Sequence, residues 1–214
     1  TDILTLSFSS TDYIGHKYGP HSNEIIDTYI KLDEDLADFL NFIEKFYGKE
    51  NALVFLTADH GVVSVPNELI KRNIPAGYFD GANLLTEING LLNKQFESDE
   101  NLALSYSNQQ LFLNRKYISK HHLKLKDIQE AAANYILTKE GVMNTYTAYQ
   151  LHHYEYQNGF HSLIQNGFHQ KRSGDVIVNY NPGWIQWNSE TGTTHGSCFS
   201  YDTHVPLLFW GANI

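Results

Sequence analysis

Three short motifs contain side chains of the types that bind metal ions. Asp12 and His16 form a D-x-x-x-H motif, Asp59 and His60 are adjacent, and His195 is followed by a glycine. Each motif alone is a weak signal, because such spacings arise by chance in a chain with 11 histidines. Carboxylate oxygen and imidazole nitrogen, without a thiolate, suit a catalytic zinc ion. The motifs therefore indicate a metal centre if the fold brings them together.

The size of this ligand set indicates the chemistry. Two carboxylates and three imidazoles exceed the protein ligands that one catalytic zinc ion uses, so two metal ions sharing the set are more plausible. Such a pair clamps the attacking and the leaving oxygen of an in-line displacement at phosphorus. Phosphoryl or sulfuryl transfer is the natural reaction for this set.

The predicted secondary structure brings the first two motifs to one edge of a sheet. Residues 2–10 and 52–57 are predicted as strands, and residues 22–47 between them have apolar side chains at helical spacing. A strand, a helix and a strand in this order predict a βαβ unit of a parallel sheet. Asp12, in the loop after the first strand, and Asp59 would then lie beyond the carboxyl ends of the strands, where ligands gather.

The middle of the chain has a different pattern from its two ends. Periodicity predicts two helices and three short strands there, namely residues 84–96 and 125–137, and residues 102–106, 110–114 and 142–147. Two further strands are predicted later, at residues 171–180 and 205–210.

These elements predict an α/β fold in two parts. The expected architecture is an α/β/α sandwich with a mainly parallel sheet, truncated at the N-terminus, with a small α+β insertion. Residues 1–66 and 157–214 would form the partial metal-binding core, and residues 67–156 the insertion. Because the chain begins with Thr1 and enters a strand pattern at once, we expect it to be a piece of a longer protein.

Composition narrows the class of partner. The net charge is −9 and no run of Lys or Arg occurs, so a nucleic-acid-binding surface is not expected. No apolar run is long enough to span a bilayer, and no export signal is visible. Cys198 is the only cysteine, which excludes an intrachain disulfide and a zinc site built on cysteines.

Three segments carry a resemblance to a known family. Residues 11–20, 57–61 and 192–196 read TDYIGHKYGP, TADHG and GTTHG, and they are similar to three metal-binding blocks of the alkaline phosphatase superfamily, in the same order. The likeness covers roughly residues 1–66 and 158–214. Within the superfamily, the chain most resembles the bacterial phosphate-irrepressible alkaline phosphatases, which are near relatives of the nucleotide pyrophosphatase/phosphodiesterases.

The resemblance implies a division of the five ligands between two zinc ions. Asp12, His16 and His195 would bind one zinc ion, and Asp59 and His60 would help to bind the second. The second ion in that family also takes an upstream Asp and a nucleophilic Thr or Ser. No segment of this chain matches them, so no catalytic nucleophile is predicted within it.

The expected function is therefore that of a longer parent protein. We expect it to hydrolyse small-molecule phosphate monoesters or diesters through a covalent phosphoenzyme, and the chain alone to be inactive. The remainder of the parent chain would be its partner, and the resemblance implies a periplasmic or secreted location. The alternatives are a sulfatase or phosphomutase of the same superfamily and a non-catalytic metal-binding domain.

Asp202 and His204 lie close to His195 in the sequence. Metal-bound histidines usually donate their other N–H to a partner, so these residues are candidates for orienting a ligand. A structural role in starting the last strand is an equal alternative.

Overall fold

The computed structural model describes residues 2–212 and 214, which form two compact units. Unit 1 is Thr1–Asn73 with Ser189–Ile214, and unit 2 is Ile74–Asn188. The chain thus returns to unit 1 at residue 189, whereas the sequence placed the return at residue 157. No helix in the described part of the chain is both long and apolar enough to cross a membrane.

The described residues of unit 1 form four helices, a single 3₁₀ turn and two strands. They are α1 (Ser10–Tyr18), α2 (Asn23–Tyr47), the 3₁₀ turn (Lys49–Asn51), β1 (Leu53–Thr57), α3 (Pro66–Lys71), α9 (Ser200–Thr203) and β8 (Leu207–Gly211).

Helix α2 confirms the helix predicted for residues 22–47. The Ser22 hydroxyl caps its first turn by accepting a hydrogen bond from the Ile25 amide at 3.2 Å. Gly48 ends it with a φ of 79°, a left-handed conformation that glycine adopts without a steric penalty.

The strand predicted for residues 2–10 is wrong. Residues 2–8 have no regular secondary structure and are exposed, and α1 begins at Ser10. Strand propensity reports how well a segment fits a pleated, half-buried surface, and no ladder partner is present for residues 2–8 within the described chain. The loop predicted to hold Asp12 and His16 is helix α1.

Strand β1 lies where it was predicted, but its neighbour and its burial differ from the prediction. It pairs antiparallel with β8, with Leu53 opposite Gly211 and Thr57 opposite Leu207. Its apolar side chains are partly or largely exposed, with Phe55 at 64%, so the expected burial on both faces is not found. An apolar run predicts a demand for burial, but it does not specify the partner that meets it.

Unit 2 contains five helices and six strands. They are β2 (Gly77–Tyr78), α4 (Gly81–Gln95), β3 (Ala103–Ser107), β4 (Gln110–Leu113), α5 (Arg115–Lys120), α6 (Leu125–Leu137), β5 (Val142–Thr147), α7 (Ala148–His153), α8 (Gly159–Gly167), β6 (Val176–Tyr180) and β7 (Trp184–Ile185).

The sheet of unit 2 is antiparallel. Four strands lie in the order β3-β4-β6-β5, while β2 and β7 form a separate pair, which is the only parallel pairing among the described residues. The mixed α/β class is therefore confirmed, and the parallel pairing is confined to these two short strands.

Helices α4 and α6 pack against this sheet and against each other to form one apolar core. Leu84, Ile88, Leu111, Ile128 and Val176 are all essentially inaccessible to solvent. Because both helices have their apolar residues at three- and four-residue steps, each turns one continuous stripe towards the sheet. This unit thus has the single contiguous core of a self-contained domain.

A buried carboxylate links three elements of unit 2. Asp175 precedes β6 and accepts hydrogen bonds from the Leu113 amide, the Arg115 guanidinium and the Gln129 side chain at 2.8–3.0 Å. The positive charge of the guanidinium and the hydrogen bonds from the other two donors compensate for the burial of the Asp175 carboxylate.

Candidate metal centre

Helix α1 carries two of the predicted ligands on one face. Asp12 and His16 are four residues apart, which brings their side chains together on a helix. Oδ1 of Asp12 lies 3.4 Å from Nε2 of His16. Asp12 is in the first turn, where the unpaired amides and the helix dipole favour a negative charge. The local fold therefore pairs a carboxylate with an imidazole.

The main chain of Thr193 fixes the orientation of the His16 ring. Nδ1 of His16 lies 2.8 Å from the Thr193 carbonyl oxygen, and the Thr193 amide donates to the His16 carbonyl at 2.9 Å. Since a carbonyl oxygen only accepts, Nδ1 carries a proton, and Nε2 is the ring nitrogen that faces Asp12. Thr193 is fully buried, and its hydroxyl donates to the Val63 carbonyl at 2.8 Å.

His195 reaches the same carboxylate from the other end of the chain. Its Nε2 lies 3.9 Å from Oδ1 of Asp12, and its ring centroid lies 5.1 Å from that of His16. Burial lowers the pKa of His195, and the neighbouring His60 and His16 rings lower it further, against an opposing effect of Asp12 and Asp202. The neutral ring, which is the form that binds a metal, is thereby favoured.

His60 lies beside this group, stacked on His195. The two ring centroids are 3.4 Å apart with an interplanar angle of 13°. Nδ1 of His60 lies 2.9 Å from the Gly61 carbonyl oxygen and donates to it, and Nε2 is the ring nitrogen that faces Oδ1 of Asp12, at 4.0 Å.

Asp59 is the outermost of the five predicted residues. Its side chain is 90% exposed, and its Oδ2 lies 3.7 Å from Nε2 of His60. Among the described residues, the group that could hold one metal ion is Asp12, His16 and His195, whose ligand atoms all lie within 4.8 Å of one another. Asp59 and His60 thus form an adjoining pair that lies outside this triad.

The triad has the donor chemistry and spacing of a zinc site. Tetrahedral zinc bonds of about 2.0–2.1 Å put neighbouring ligand atoms about 3.3 Å apart. From the Asp12 oxygen, the distance to the His16 nitrogen, 3.4 Å, agrees with this value, and the distance to the His195 nitrogen, 3.9 Å, is wider. Three protein ligands with a fourth position open is the arrangement of catalytic zinc. The residues therefore fit the metal ion.

The role of Thr193 was not predicted from the sequence. Its contacts with His16 and Val63 join segments far apart in the chain, and such long-range hydrogen bonds to main-chain carbonyls leave no periodic or spacing signal. Thr193 lies within the GTTHG motif, but nothing in the sequence distinguished its role from that of the adjacent Thr194.

Comparison with known proteins gives consistent matches over nearly the whole chain. Residues 1–202 match the family model described as type I phosphodiesterase / nucleotide pyrophosphatase. Alkaline phosphatase PafA of Elizabethkingia meningoseptica is 36% identical over the whole chain, and alkaline phosphatase PhoV of Synechococcus elongatus is 35% identical over 99% of it. The crystal structure of wild-type PafA superposes on 95% of the chain with a TM-score of 0.87 at 35% identity.

The chain matches only part of each relative. The chain spans 39% of the length of PafA and 38% of the length of PhoV. The three motifs, the fold and the match across both units point the same way: the chain belongs to the type I phosphodiesterase/nucleotide pyrophosphatase family of phosphohydrolases.

Proposed function

We propose that this chain is part of a zinc-dependent phosphohydrolase that cleaves small-molecule phosphate monoesters or diesters. The chain supplies the zinc site that stabilises the leaving oxygen of the substrate. Asp12, His16 and His195 hold one zinc ion, and Asp59 and His60 contribute to a second. The observation that carries the proposal is the convergence of two imidazole nitrogens on one oxygen of Asp12, at 3.4 and 3.9 Å.

The chain's own residues prepare the site for a cation. Asp12 supplies the negative charge, and the Thr193 carbonyl keeps the proton of His16 on Nδ1, away from the site. The lowered pKa of His195 keeps its ring neutral near neutral pH. A zinc ion bound there supplies positive charge that stabilises a leaving oxygen.

The attacking side of the reaction would come from other parts of the protein. The family resemblance implies a nucleophilic Thr or Ser and a further Asp, and no segment among the 214 residues matches them. We therefore expect the chain alone to hydrolyse p-nitrophenyl phosphate negligibly with added zinc. We also infer from the resemblance that the whole protein is periplasmic or secreted.

Zinc binding by the purified chain tests the proposal. Isothermal titration at pH 7.5 should show binding that His195→Ala and Asp12→Asn each weaken by more than about tenfold, since each removes one of three protein ligands. His21→Ala is the matched control, because His21 is an exposed histidine of unit 1 outside the triad. Equal zinc affinity in His195→Ala and His21→Ala would refute the site.

The turnover assay tests the second part. Robust hydrolysis of p-nitrophenyl phosphate by the chain alone, abolished by His195→Ala, would show that the nucleophile lies within these residues. It would overturn the proposal that the nucleophile comes from another part of the protein.

A further inference from the structure

The carboxylate of Asp202 binds the backbone directly after His195. Asp202 lies in α9 and is 5% exposed. Its Oδ2 accepts hydrogen bonds from the Gly196 amide at 3.1 Å and from the Ser197 amide at 2.7 Å. Hydrogen bonds from amides to an ionised carboxylate are among the stronger ones in proteins. The loop that carries His195 is therefore anchored through two consecutive amides to one side chain.

The main chain of the same residue binds the segment directly after His60. The Gly61 amide donates to the Asp202 carbonyl at 2.7 Å. A Cβ at Gly61 would overlap the Tyr201 carbonyl oxygen, so only glycine permits this approach. One residue thus contacts both backbone segments whose histidine rings stack at 3.4 Å.

The second carboxylate oxygen of Asp202 has a different environment. Oδ1 is buried and has no hydrogen-bond partner among the described residues. Burying a carboxylate oxygen without a hydrogen-bond partner is destabilising, so Asp202 contributes less to stability than its amide contacts alone would suggest. The cost is consistent with a role in fixing the geometry of the neighbouring histidines.

We propose that Asp202 is a positioning residue of the metal centre, which holds the His195 loop by its side chain and the His60 segment by its main chain. The proposal rests on the proposed function, because it assigns Asp202 an effect on metal binding. It also assigns two separable effects: the side chain acts on His195, and the main chain acts on His60. A substitution of the Asp202 side chain should therefore affect the His195 loop and leave the main-chain contact with the His60 segment in place.

Cobalt binding by the full chain measures an effect on the metal site that a change in stability alone would not produce. We expect Asp202→Ala to weaken Co²⁺ binding by about 10–100-fold and to alter the visible d–d spectrum of the bound ion, because supporting residues of metal sites have effects of this size. Asp202→Asn keeps an oxygen that can accept from both amides, so it should restore most of the affinity and the spectrum. Asp35→Ala removes an exposed carboxylate from the same unit and should change neither.

The outcomes separate this inference from the proposed function. If the wild-type chain does not bind Co²⁺, the proposed metal site is refuted and this inference falls with it. If the wild-type chain binds Co²⁺ and Asp202→Ala binds it equally, with an unchanged spectrum, only the positioning role is refuted. Equal defects in Asp202→Asn and Asp202→Ala would likewise overturn the hydrogen-bonding role.

Hydrogen exchange decides the question if Asp202→Ala does not fold. In the wild-type chain, the amides of Gly196 and Ser197 should exchange slowly because each donates to Oδ2. Exchange of both amides as fast as in the exposed residues 2–8 would show that the anchor does not form, and would overturn the proposal.

Discussion

The two units of this molecule use their apolar residues differently. In unit 2, α4, α6 and a four-stranded sheet enclose one continuous core. In unit 1, the buried apolar side chains among the described residues are Ile25, Val63, Val65 and Pro66, while one face of the β1–β8 pair is exposed, the other is only partly buried, and much of α2 is exposed. The residues with candidate chemistry all lie in unit 1. The unit with the larger apolar core is thus not the unit that carries the predicted metal ligands.

This difference shows what holds the candidate metal centre in place. Burial of apolar surface is the main driving force for folding, and unit 1 has little of it. Its ligands are oriented instead by specific hydrogen bonds, through Thr193 for His16 and through Asp202 for His195. The geometry of the candidate site therefore depends on a few polar contacts, whereas that of unit 2 depends on packing.

The largest expected effect is that of a cavity in the core of unit 2. Ile128 is 0% exposed, so Ile128→Ala should lower the free energy of unfolding by about 2–5 kcal/mol. Phe55→Ala in unit 1 removes a larger but mostly exposed side chain and should change it by less than about 0.5 kcal/mol. Urea denaturation followed by circular dichroism measures both. Similar losses in the two variants would mean that unit 1 has a packed core of its own.

Zinc should stabilise unit 1 selectively. At a free zinc concentration 100 times Kd, binding adds about 2.7 kcal/mol to the unfolding free energy of the part that binds it. Hydrogen exchange followed by mass spectrometry should therefore slow in peptides from residues 10–18 and 192–204. Peptides from α4 and α6 serve as the internal control. Uniform protection of both units, or protection retained in His195→Ala, would contradict the assignment of the site to unit 1.

The smallest expected effect concerns a tyrosine pair in unit 2. The hydroxyls of Tyr106 and Tyr180 lie 2.6 Å apart, and burial raises the pKa of both. The unfolded chain loses these protons near pH 10 while the folded chain keeps them, so stability falls as pH rises above about 10, by about 1 kcal/mol per pH unit and group.

A double variant isolates this alkaline effect. Replacing both Tyr106 and Tyr180 by Phe should flatten the loss of unfolding free energy between pH 9 and 11, as measured by urea denaturation. Tyr13→Phe in unit 1 is the control, because Tyr13 is exposed and its replacement should leave the slope unchanged. An unchanged slope in the double variant would show that the pair titrates normally.

Local signals predicted much of the fold. The bounds of α6 and β5 agree with the prediction, and those of α2 agree within one residue, because helical or alternating periodicity and capping residues are encoded in neighbouring positions. Strand identity at residues 2–10 and the neighbour of β1 were mispredicted, since both depend on which distant segment supplies the ladder.

The candidate site was likewise predicted only in part from the sequence. The motifs predicted a set of five ligands, and the family resemblance implied that Asp12, His16 and His195 share one ion. The structure brings the ligand atoms of these three within 4.8 Å, while their role in binding zinc stays a prediction. The contribution of Thr193 was invisible because it is made by main-chain atoms. Asp202 was suspected from its closeness to His195, but the contact it makes, to backbone amides rather than to the ring, required the fold.

The β1–β8 pair has a practical consequence for the handling of this protein. Its strands read LVFLT and LLFWG, without a charge or a proline to interrupt them, and within the described chain each pairs with the other alone. Uncharged, apolar strands with unpaired edges are templates for intermolecular β-sheet formation and aggregation. We expect solubility, rather than folding of unit 2, to set the concentration at which the isolated chain can be studied, and a lysine placed at Phe55 or Phe209 to raise that concentration.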